Sequence, residues 1–329
     1  MNVTILGESE IRNCVGMDRD AMDAVAEGFT RLADGRAFAP PVVCMMFPEY
    51  NGEVDIKTAS IEGLDSFAVK VASGFFDNPR KGLPYGGGMM ILMSAETGFL
   101  QALLADNGYL TDLRTGLAGA IAAAHLAPET VTTAGVIGSG TQARYQIRGL
   151  KLVRDFAHLI VYGVIHEEVQ RYAEEMEREL DVAVTVATTP ESVVRESEFV
   201  VTTTPAREPY LEARWLQPGV HVTCMGADME DKQELYADCF GLADLVVCDR
   251  LSQCRVIGEL HHALDAGAVD ETEVVELGEL TGGRGPGRTS DDQITICELT
   301  GVGVQDTAIA RLAYARAVER GLGAVFESA

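Results

Sequence analysis

The first third of the chain changes its hydrophobic pattern after a single amphipathic helix. Apolar residues recur at helical spacing over residues 18–34, Asp18 stands where an N-cap is expected, and Gly35 follows as a stop signal. After two consecutive prolines, the apolar residues occur in short runs that turn-forming Gly and Asn residues separate. These runs predict a mostly antiparallel sheet with strands over residues 42–47, 54–61, 67–72, 89–94 and 99–105.

The second part of the chain alternates Val-rich strands with helices. A small-residue helix is predicted over residues 111–125, and further helices over residues 142–153 and 167–180. Continuous apolar strands that alternate with helices are typical of a parallel sheet covered on both faces. The predicted strands are residues 133–137, 159–162, 182–187, 199–203, 220–224, 245–248 and 294–299, and a last helix covers residues 305–320. The pattern predicts an α/β fold, a Rossmann-type doubly wound parallel sheet with an α+β domain beside it.

Charge and cysteine content narrow the class of protein. The formal net charge of −24 disfavours nucleic acid and anionic membranes as partners, because both repel an acidic surface. The seven cysteines form no Cys-x-x-Cys pair, so we expect reduced thiols rather than a disulfide framework or a zinc site. No secretion signal and no apolar run of membrane-spanning length is recognisable. We therefore expect a cytoplasmic protein.

A glycine-rich turn joins the first strand of the parallel sheet to its helix. The sequence from Gly138 to Ala143 matches Gly-x-Gly-x-x-Ala at a strand end and a helix start. Gly138 permits the tight turn, Gly140 lets backbone N–H groups approach a pyrophosphate, and the helix N-terminus favours its negative charge. The residues predicted to bind the phosphates of a dinucleotide are Gly138, Ser139, Gly140, Thr141 and Gln142.

The end of the second parallel strand normally distinguishes NAD from NADP. An acidic residue there binds the ribose hydroxyls of NAD, whereas an Arg favours the 2′-phosphate of NADP. The sequence has Gly163 after Tyr162 and supplies neither type, so the predicted cofactor is NAD or NADP. Gly163, and Thr203 and Thr204 at the end of a later strand, are further candidates for cofactor binding.

Several segments, taken in order along the chain, resemble the ornithine cyclodeaminase/mu-crystallin family. They are residues 67–71, Asn78 with residues 82–84, residues 113–115, residues 226–228 followed by residues 232–235, and residues 301–306. Residues 51–58 and 74–79 are most similar to the subgroup found with ectoine-utilisation genes.

The resemblance implies a homodimer of two-domain chains that binds NAD or NADP and a small amino or imino acid. Residues 1–118 with 305–329 would form the substrate-binding and dimerisation domain, and residues 119–304 the dinucleotide-binding domain. Lys70 and Asp228 match the catalytic residues of the family, and Arg114 matches the arginine that binds the substrate carboxylate through its planar fork. The matched positions add Gly303 and Val304 to the substrate site, and Arg114, Thr115 and Gly226 to the cofactor site.

Each matched residue also has an ordinary structural interpretation. Lys70 would extend to solvent from its strand, Arg114 would form a surface ion pair, and Asp228 would be a turn residue. In the catalytic interpretation, burial of Lys70 would lower its pKa, and Asp228 would lie just beyond the carboxyl end of a parallel strand. Retention of all three residues together favours the catalytic interpretation.

One position departs from the family pattern. Many relatives carry a second carboxylate-binding arginine in the strand after the prolines, where this chain has Cys44 or a neighbour. Lys57 and Arg80 are the candidates to replace it, and Cys44 could equally be an inert thiol. We predict no metal site at His261 and His262, because adjacent residues of a helix face different directions.

The predicted function is an NAD(P)-dependent oxidoreductase acting on the C–N bond of a small amino or imino acid, either as an imine reductase or as an amino-acid dehydrogenase. The alternative within the enzyme class is a redox-neutral cyclodeaminase that converts ornithine or a similar diamino acid to a cyclic imino acid and ammonia. A third possibility, from a different class, is a crystallin-like protein that binds cofactor and ligand without turnover.

Overall fold

The structure is a computed structural model that describes residues 2–327, so the predictions for Met1, Ser328 and Ala329 lie outside the described residues. The strands are β1 (Asn2–Gly7), β2 (Ala37–Phe38), β3 (Val43–Phe47), β4 (Gly52–Ile61), β5 (Ser66–Phe75), β6 (Gly86–Ser94), β7 (Leu100–Ala105), β8 (Thr133–Ile137), β9 (His158–Tyr162), β10 (Ala183–Val186), β11 (Phe199–Thr202), β12 (His221–Cys224), β13 (Leu245–Cys248), β14 (Val274–Glu276), β15 (Thr295–Glu298) and β16 (Ala324–Glu327). The helices are α1 (Glu8–Cys14), α2 (Arg19–Ala33), α3 (Tyr109–Leu126), α4 (Thr141–Val153), α5 (His166–Leu180), α6 (Pro190–Arg195), α7 (Asp238–Leu242), α8 (Leu251–Cys254), α9 (Glu259–Asp265), α10 (Leu277–Thr281) and α11 (Gly303–Glu319).

The chain forms two compact units. One consists of Met1–Arg114 with Val302–Ala329, and the other of Thr115–Gly301. The first division lies inside α3 and the second lies just before α11. We call the two units the N/C unit and the central unit.

The N/C unit is built on one mixed sheet in the order β16-β1-β7-β6-β5-β4-β2, with β3 also paired to β4. The ladders from β4 to β7 are antiparallel, as predicted, and only β1 with β7 is parallel. Alternate residues of the central strands are buried, for example Ala68 and Met90, because one face of this sheet is covered by helices. This covered face supplies the core of the unit.

Helix α11 packs unusually closely against the covered face. The hydroxyl of Thr307 donates to the carbonyl of Ala59 at 2.8 Å and accepts from the backbone N–H of Ala68 at 3.1 Å. A Cβ on Gly303 would lie 2.2 Å from the carbonyl oxygen of Thr58, so this position requires glycine. The first turn of α11 is therefore fixed against β4 and β5.

The central unit is a fully parallel sheet in the order β10-β9-β8-β11-β12-β15-β13-β14. Its strands are apolar and buried along their length, as in Val200, Val222 and Ile296, since helices cover both faces. The order reverses between β8 and β11, and ligands of doubly wound sheets bind at such a switch point, beyond the carboxyl ends of the strands.

The α/β class with a Rossmann-type sheet, predicted from the sequence, is confirmed. The predicted helices and strands recur with ends shifted by a few residues, and Asp18 caps α2 by accepting from the backbone N–H of Ala21. The sequence pattern did not reveal the short or exposed elements β1, α1, β2, α6 to α10, β14 and β16. Within residues 2–327, no helix is both long and apolar enough to cross a membrane.

Replacing Gly149 by Ala tests the close packing of α4 on α3 in the central unit. The added Cβ would lie 2.5 Å from the carbonyl oxygen of Gly116, so the two helices must separate. We expect a loss of about 1–3 kcal/mol of stability, measured by chemical denaturation. The control Gly16→Ala adds a Cβ with nothing within 4 Å, and equal losses in both variants would contradict the packing explanation.

Candidate active site

Lys70 is a buried cation in the N/C unit. It lies in the middle of β5 on the face that α11 covers, and only 2% of the residue is exposed. Burial lowers the pKa of Lys70 to about 7; nearby Asp306 opposes this shift, and Arg114 and Lys57 add to it. The burial and the direction of the pKa shift agree with the expectation from the sequence. Near neutral pH, the side chain can therefore both hold and release a proton.

Asp306, in the first turn of α11, lies between two cations. Its carboxylate is 3.8 Å from the ammonium of Lys70 and 3.1 Å from Nε of Arg114, and all three residues are buried. Arg114 also donates from Nη1 to Oε1 of Gln305 at 2.7 Å. Yet both oxygens of Asp306, Nε of Arg114 and Nε2 of Gln305 lack a well-formed hydrogen bond to any described residue. Buried polar atoms are rarely left so, and this excess of hydrogen-bonding capacity is typical of a ligand site.

A third cation lies beside Lys70. Lys57 is directly opposite Lys70 in the β4–β5 ladder, so the two side chains leave the same face, and Lys57 is only 8% exposed. Cys44 is opposite Asp55 on the neighbouring strand pair and is exposed. Of the two candidates to replace the family's second arginine, Lys57 is thus next to Lys70, whereas Arg80 is exposed in a turn outside the strands.

Gly303 and Val304 lie at the start of α11, before Gln305 and Asp306. Val304 is fully buried, and its carbonyl oxygen would be 3.2 Å from a Cβ placed on Gly28 of α2. The two residues thus bring α11 close to both β4 and α2. The structure places all the predicted substrate-binding residues, Lys70, Arg114, Gly303 and Val304, in the N/C unit.

The glycine turn of the central unit is tight at Gly138 and open at Gly140. Gly138 has φ +114°, and a Cβ there would meet the hydroxyl of Thr203 at 2.3 Å, so only glycine fits. Gly140 is the N-cap of α4, makes no side-chain cap, and has open space where a Cβ would be. The first turn of α4 carries no acidic residue. Its N–H groups therefore fit the phosphates of a dinucleotide.

The remaining cofactor candidates lie around this turn. Gly163 follows β9, and a Cβ on it would lie 2.8 Å from Val169 and 3.5 Å from the hydroxyl of Ser139. Thr115 in α3 accepts a hydrogen bond at its carbonyl from Gln146, whose amide also bonds Gln142 at 3.3 Å. Thr141 begins α4. Close packing thus places the end of β9 and the residues of α3 around Thr115 next to the glycine turn and the first turn of α4.

Thr203, Thr204 and Gly226 follow β11 and β12 at the carboxyl edge of the sheet. Thr203 bonds the carbonyl of Ile137 through both its backbone N–H, at 2.9 Å, and its hydroxyl, at 3.1 Å. A Cβ on Gly226 would lie 2.3 Å from the carbonyl oxygen of Thr204, so the two loops touch. These positions belong to the crevice that doubly wound sheets use for ligands.

Asp228 comes four residues after the end of β12, at the carboxyl edge where it was expected. Its carboxylate accepts from the ammonium of Lys232 at 2.6 Å. The side chain of Asp228 is 41% exposed, whereas that of Lys232 is only 9% exposed. The pair thus holds a partly exposed carboxylate just beyond the carboxyl end of β12.

Sequence reasoning missed Gln305, Asp306 and Glu234, although all three lie within the segments that carried the family resemblance. The signal for Asp306 was its place in the matched segment 301–306, since an acidic residue in the first turn of a helix is by itself ordinary. Nothing local in the sequence marks the role of Glu234, because its partners come from loops distant along the chain.

The structure corrects the expectation that the side chains of His261 and His262 face different directions, which is separate from the prediction about a metal. Their side chains do not diverge, because the ring centroids are 3.7 Å apart and the planes are tilted by 39°. His262 also contacts the carbonyl of Lys232 at 3.2 Å through Nε2. The two rings are therefore in contact although the residues are adjacent on the seven-residue helix α9.

A doubly wound parallel sheet with a glycine turn at its switch point, joined in one chain to a unit with a buried Lys-Arg-Asp cluster, is typical of the class of dinucleotide-binding proteins. The profile of the ornithine cyclodeaminase/mu-crystallin family matches residues 1–321, and the chain belongs to this family. The resemblance noted in the sequence is thereby confirmed.

Relatives cover the whole length of the chain. A protein of Sinorhizobium fredii named as an uncharacterized cyclodeaminase is 47% identical over 326 residues, 98% of each chain. An archaeal alanine dehydrogenase dimer solved with bound NAD superposes with a TM-score of 0.92 at 34% identity, over 100% of each chain. The Δ1-pyrroline-2-carboxylate reductase of Thermococcus litoralis, solved with NADH and L-proline, gives a TM-score of 0.92 at 28% identity, over 98% of this chain and 99% of the other. These complexes support the predicted cofactor class, NAD or NADP.

Removing the buried ammonium in Lys70→Met should stabilise the protein most at low pH. Because the folded pKa of Lys70 is about 7, well below its usual value, its charge opposes folding fully below pH 7. Between pH 7 and about 10.5 the unfolded chain binds more protons, so this cost fades as the pH rises. Urea denaturation at about pH 6, 8 and 10 should show a gain over wild type that shrinks towards pH 10.

The exposed Lys81 provides the matched control. Lys81→Met removes an ammonium that water already solvates, and we expect no such pH-dependent difference from wild type. A stability difference for Lys70→Met that is the same at all three pH values would show that Lys70 is not held in a charge-destabilising environment.

Proposed function

We propose that the protein is an NAD(P)-dependent oxidoreductase that acts on the C–N bond of a small amino or imino acid. The observation that carries the proposal is the buried cluster of Lys70, Arg114 and Asp306 in a chain whose other unit has a dinucleotide turn. Buried cations of this kind suit a substrate carboxylate. The names and bound ligands of the relatives support the same reaction class.

The N/C unit would bind and orient the substrate. Arg114 is already aligned by Gln305 and Asp306, so its guanidinium would meet a carboxylate with little loss of conformational freedom. Lys70 and Lys57 would add positive charge beside it. With a pKa of about 7, Lys70 can also donate a proton to nitrogen or accept one at neutral pH.

The central unit would hold the cofactor and a proton carrier. The residues proposed to hold the dinucleotide are Gly138, Ser139, Gly140, Thr141, Gln142, Thr115, Gly163, Thr203, Thr204 and Gly226, together with Arg114 from the N/C unit. The bound NAD(P)H would supply the hydride that a C=N carbon accepts. We propose Asp228 as the residue that exchanges the matching proton with nitrogen or with water, since it matches the family's acid/base aspartate and its carboxylate, just after β12, is partly exposed to solvent.

We favour net redox chemistry over cyclodeamination. The similarity of residues 51–58 and 74–79 to the ectoine-utilisation subgroup supports a small dicarboxylic or diamino acid intermediate as substrate. The relative from Sinorhizobium fredii, named as a cyclodeaminase, keeps redox-neutral ring closure as the second candidate. The two differ in stoichiometry, because only net redox consumes reduced cofactor.

The test is an assay of the purified protein with NADH and with NADPH. Offered substrates are pyruvate with ammonia, oxaloacetate with ammonia, Δ1-pyrroline-2-carboxylate, and L-ornithine or L-lysine with NAD. We expect oxidation of the reduced cofactor, in equal amount to an imino acid consumed, with at least one of the first three. Ammonia release from a diamino acid without net cofactor change would instead establish a cyclodeaminase. Cofactor binding without any turnover would overturn both in favour of a crystallin-like binding protein.

Asp228→Asn tests the proposed proton carrier. The amide keeps the size of the side chain but cannot accept a proton, so we expect a loss well over about tenfold in kcat with nearly unchanged affinity for NADH. The affinity can be measured through fluorescence of the one tryptophan, Trp215, which lies in the central unit. Activity equal to wild type would remove Asp228 from the mechanism.

We also propose that the protein is a cytoplasmic homodimer. The edge strand β3 exposes Val43, Met45, Met46 and Phe47, and Tyr50 follows at 53% exposure. Exposed apolar patches of this kind mark association surfaces. The archaeal relative solved as a dimer supports the assembly. The free cysteines, six of them buried, suit a reducing compartment.

Charge placed on β3 should prevent association. We expect light scattering to give twice the chain mass of 35.3 kDa for wild type and a mass close to one chain for the double variant Met45→Glu, Met46→Glu. The control double variant Val325→Glu, Phe326→Glu charges β16, the exposed strand at the other end of the same sheet, and should remain dimeric. A wild-type protein that is monomeric at assay concentration would exclude the dimer.

A further inference from the structure

Three buried glutamates of the central unit are connected in series by hydrogen bonds from side chain to backbone. We call this series the carboxylate ladder; its members are Glu298, Glu259 and Glu234. Glu298 accepts from the backbone N–H groups of Glu259 and, at 2.9 Å, of Leu260. Glu259 accepts in turn from the backbone N–H groups of Glu234, at 2.6 Å, and Leu235, at 3.1 Å. Each carboxylate therefore fixes the backbone of the next glutamate in the ladder.

The ladder ends at two loops of the crevice. Oε1 of Glu234 accepts from the backbone N–H of Thr204 at 2.7 Å, from its hydroxyl at 2.6 Å and from the hydroxyl of Tyr210 at 2.8 Å. Oε2 accepts from the backbone N–H of Gly226 at 3.1 Å. Because Thr204 follows β11 and Gly226 follows β12, one side chain joins the two loops.

Holding three carboxylates in this place is costly for the fold. Glu234 and Glu298 are fully buried and Glu259 is 1% exposed, and within residues 2–327 no cation forms a salt bridge with any of them. Burial raises the pKa of all three, that of Glu259 to about 8. Apolar side chains of similar size would avoid this desolvation, so packing alone does not explain the ladder.

The two loops that Glu234 joins carry residues of the proposed site. Thr204 follows Thr203, whose hydroxyl fills the space beside Gly138 of the phosphate turn. Gly226 precedes Asp228 by two residues, and a Cβ on Gly226 would lie 2.4 Å from Oε2 of Glu234. A shift of the Glu234 carboxylate would therefore move both loops.

We propose that Glu234 is a positioning residue, which holds the Thr204 and Gly226 loops in the arrangement that binds the nicotinamide dinucleotide and presents Asp228. The part that concerns Asp228 rests on the proposed function, whereas the part that concerns the dinucleotide does not. Glu259 fixes the backbone of Glu234 and Leu235, and Glu298 in turn fixes the backbone of Glu259.

Glu234→Gln in the full-length protein is the primary test. Glutamine keeps the size of the side chain but replaces one acceptor oxygen by an NH₂ group, which must then face the N–H of Thr204 or of Gly226. We expect NADH affinity to fall by about tenfold or more, faster hydrogen exchange at the amides of residues 204 and 226, and a kcat lowered by about a hundredfold.

Glu198→Gln is a matched control at the opposite edge of the same sheet. Glu198 also binds backbone distant along the chain, since its Oε2 accepts from the N–H groups of the consecutive residues Thr132 at 3.1 Å and Thr133 at 2.8 Å. We expect it to lower the melting temperature while NADH affinity and kcat stay within about twofold of wild type. A purely structural role for Glu234 would make the two variants alike in NADH affinity and kcat, and that result overturns the proposal.

Tyr210→Phe keeps the test decisive if Glu234→Gln does not fold. It removes one donor to Glu234 and leaves the carboxylate in place. We expect a loss of about two- to fivefold in NADH affinity, in the same direction as for Glu234→Gln, and no loss contradicts the proposal. If no imino acid is turned over by wild type, the proposed function fails, whereas NADH affinity and hydrogen exchange still decide the role of Glu234.

Discussion

The buried carboxylate of Asp306 forms ion pairs with two cations, Lys70 and Arg114, but neither of its oxygens accepts a well-formed hydrogen bond from a described residue. The rest of the N/C unit depends on this ion-pair cluster. Lys70 comes from β5, Arg114 from α3 and Asp306 from α11, which are far apart along the chain. Desolvation of these charges is only partly repaid by their mutual attraction, as the lowered pKa of Lys70 shows. In the proposed function, a substrate carboxylate would pair with the cations Lys70 and Arg114 and not with the Asp306 carboxylate, so the arrangement favours binding over maximum stability.

Helix α11 makes this cluster possible. Thr307 and Gly303 let the helix approach the sheet more closely than side-chain packing alone would allow. The chain leaves the N/C unit within α3, after Arg114, forms the central unit, and returns as α11 to complete the buried face of the first sheet. The cluster of Lys70, Arg114 and Asp306 therefore needs both stretches of chain that form the N/C unit, and it is complete only when α11 packs on the sheet.

The constraint on the central unit is different, because several loops must keep a defined spacing at the carboxyl edge of its sheet. The glycine turn, the Thr203–Thr204 segment and the Gly226–Asp228 segment each follow a parallel strand, so the sheet itself brings them together. Contacts between the loops then refine their spacing, through the glycines that permit backbone approach and through the carboxylate of Glu234. Backbone geometry supplies the crevice, and buried polar groups give it a fixed shape.

The sequence by itself determined the α/β class, the alternation of elements, the glycine turn and the segments shared with the family. Each of these depends on local periodicity or on residues close together along the chain, such as the turn conformation that Gly138 requires. The tertiary structure alone decided that Asp306 joins Lys70 to Arg114, that Lys57 is the cation opposite Lys70, and that Glu234 joins two loops. It also showed the rings of His261 and His262 in contact. Ion pairs and hydrogen bonds act over a few ångströms of space and carry no periodic trace in the sequence when their partners are dozens of residues apart.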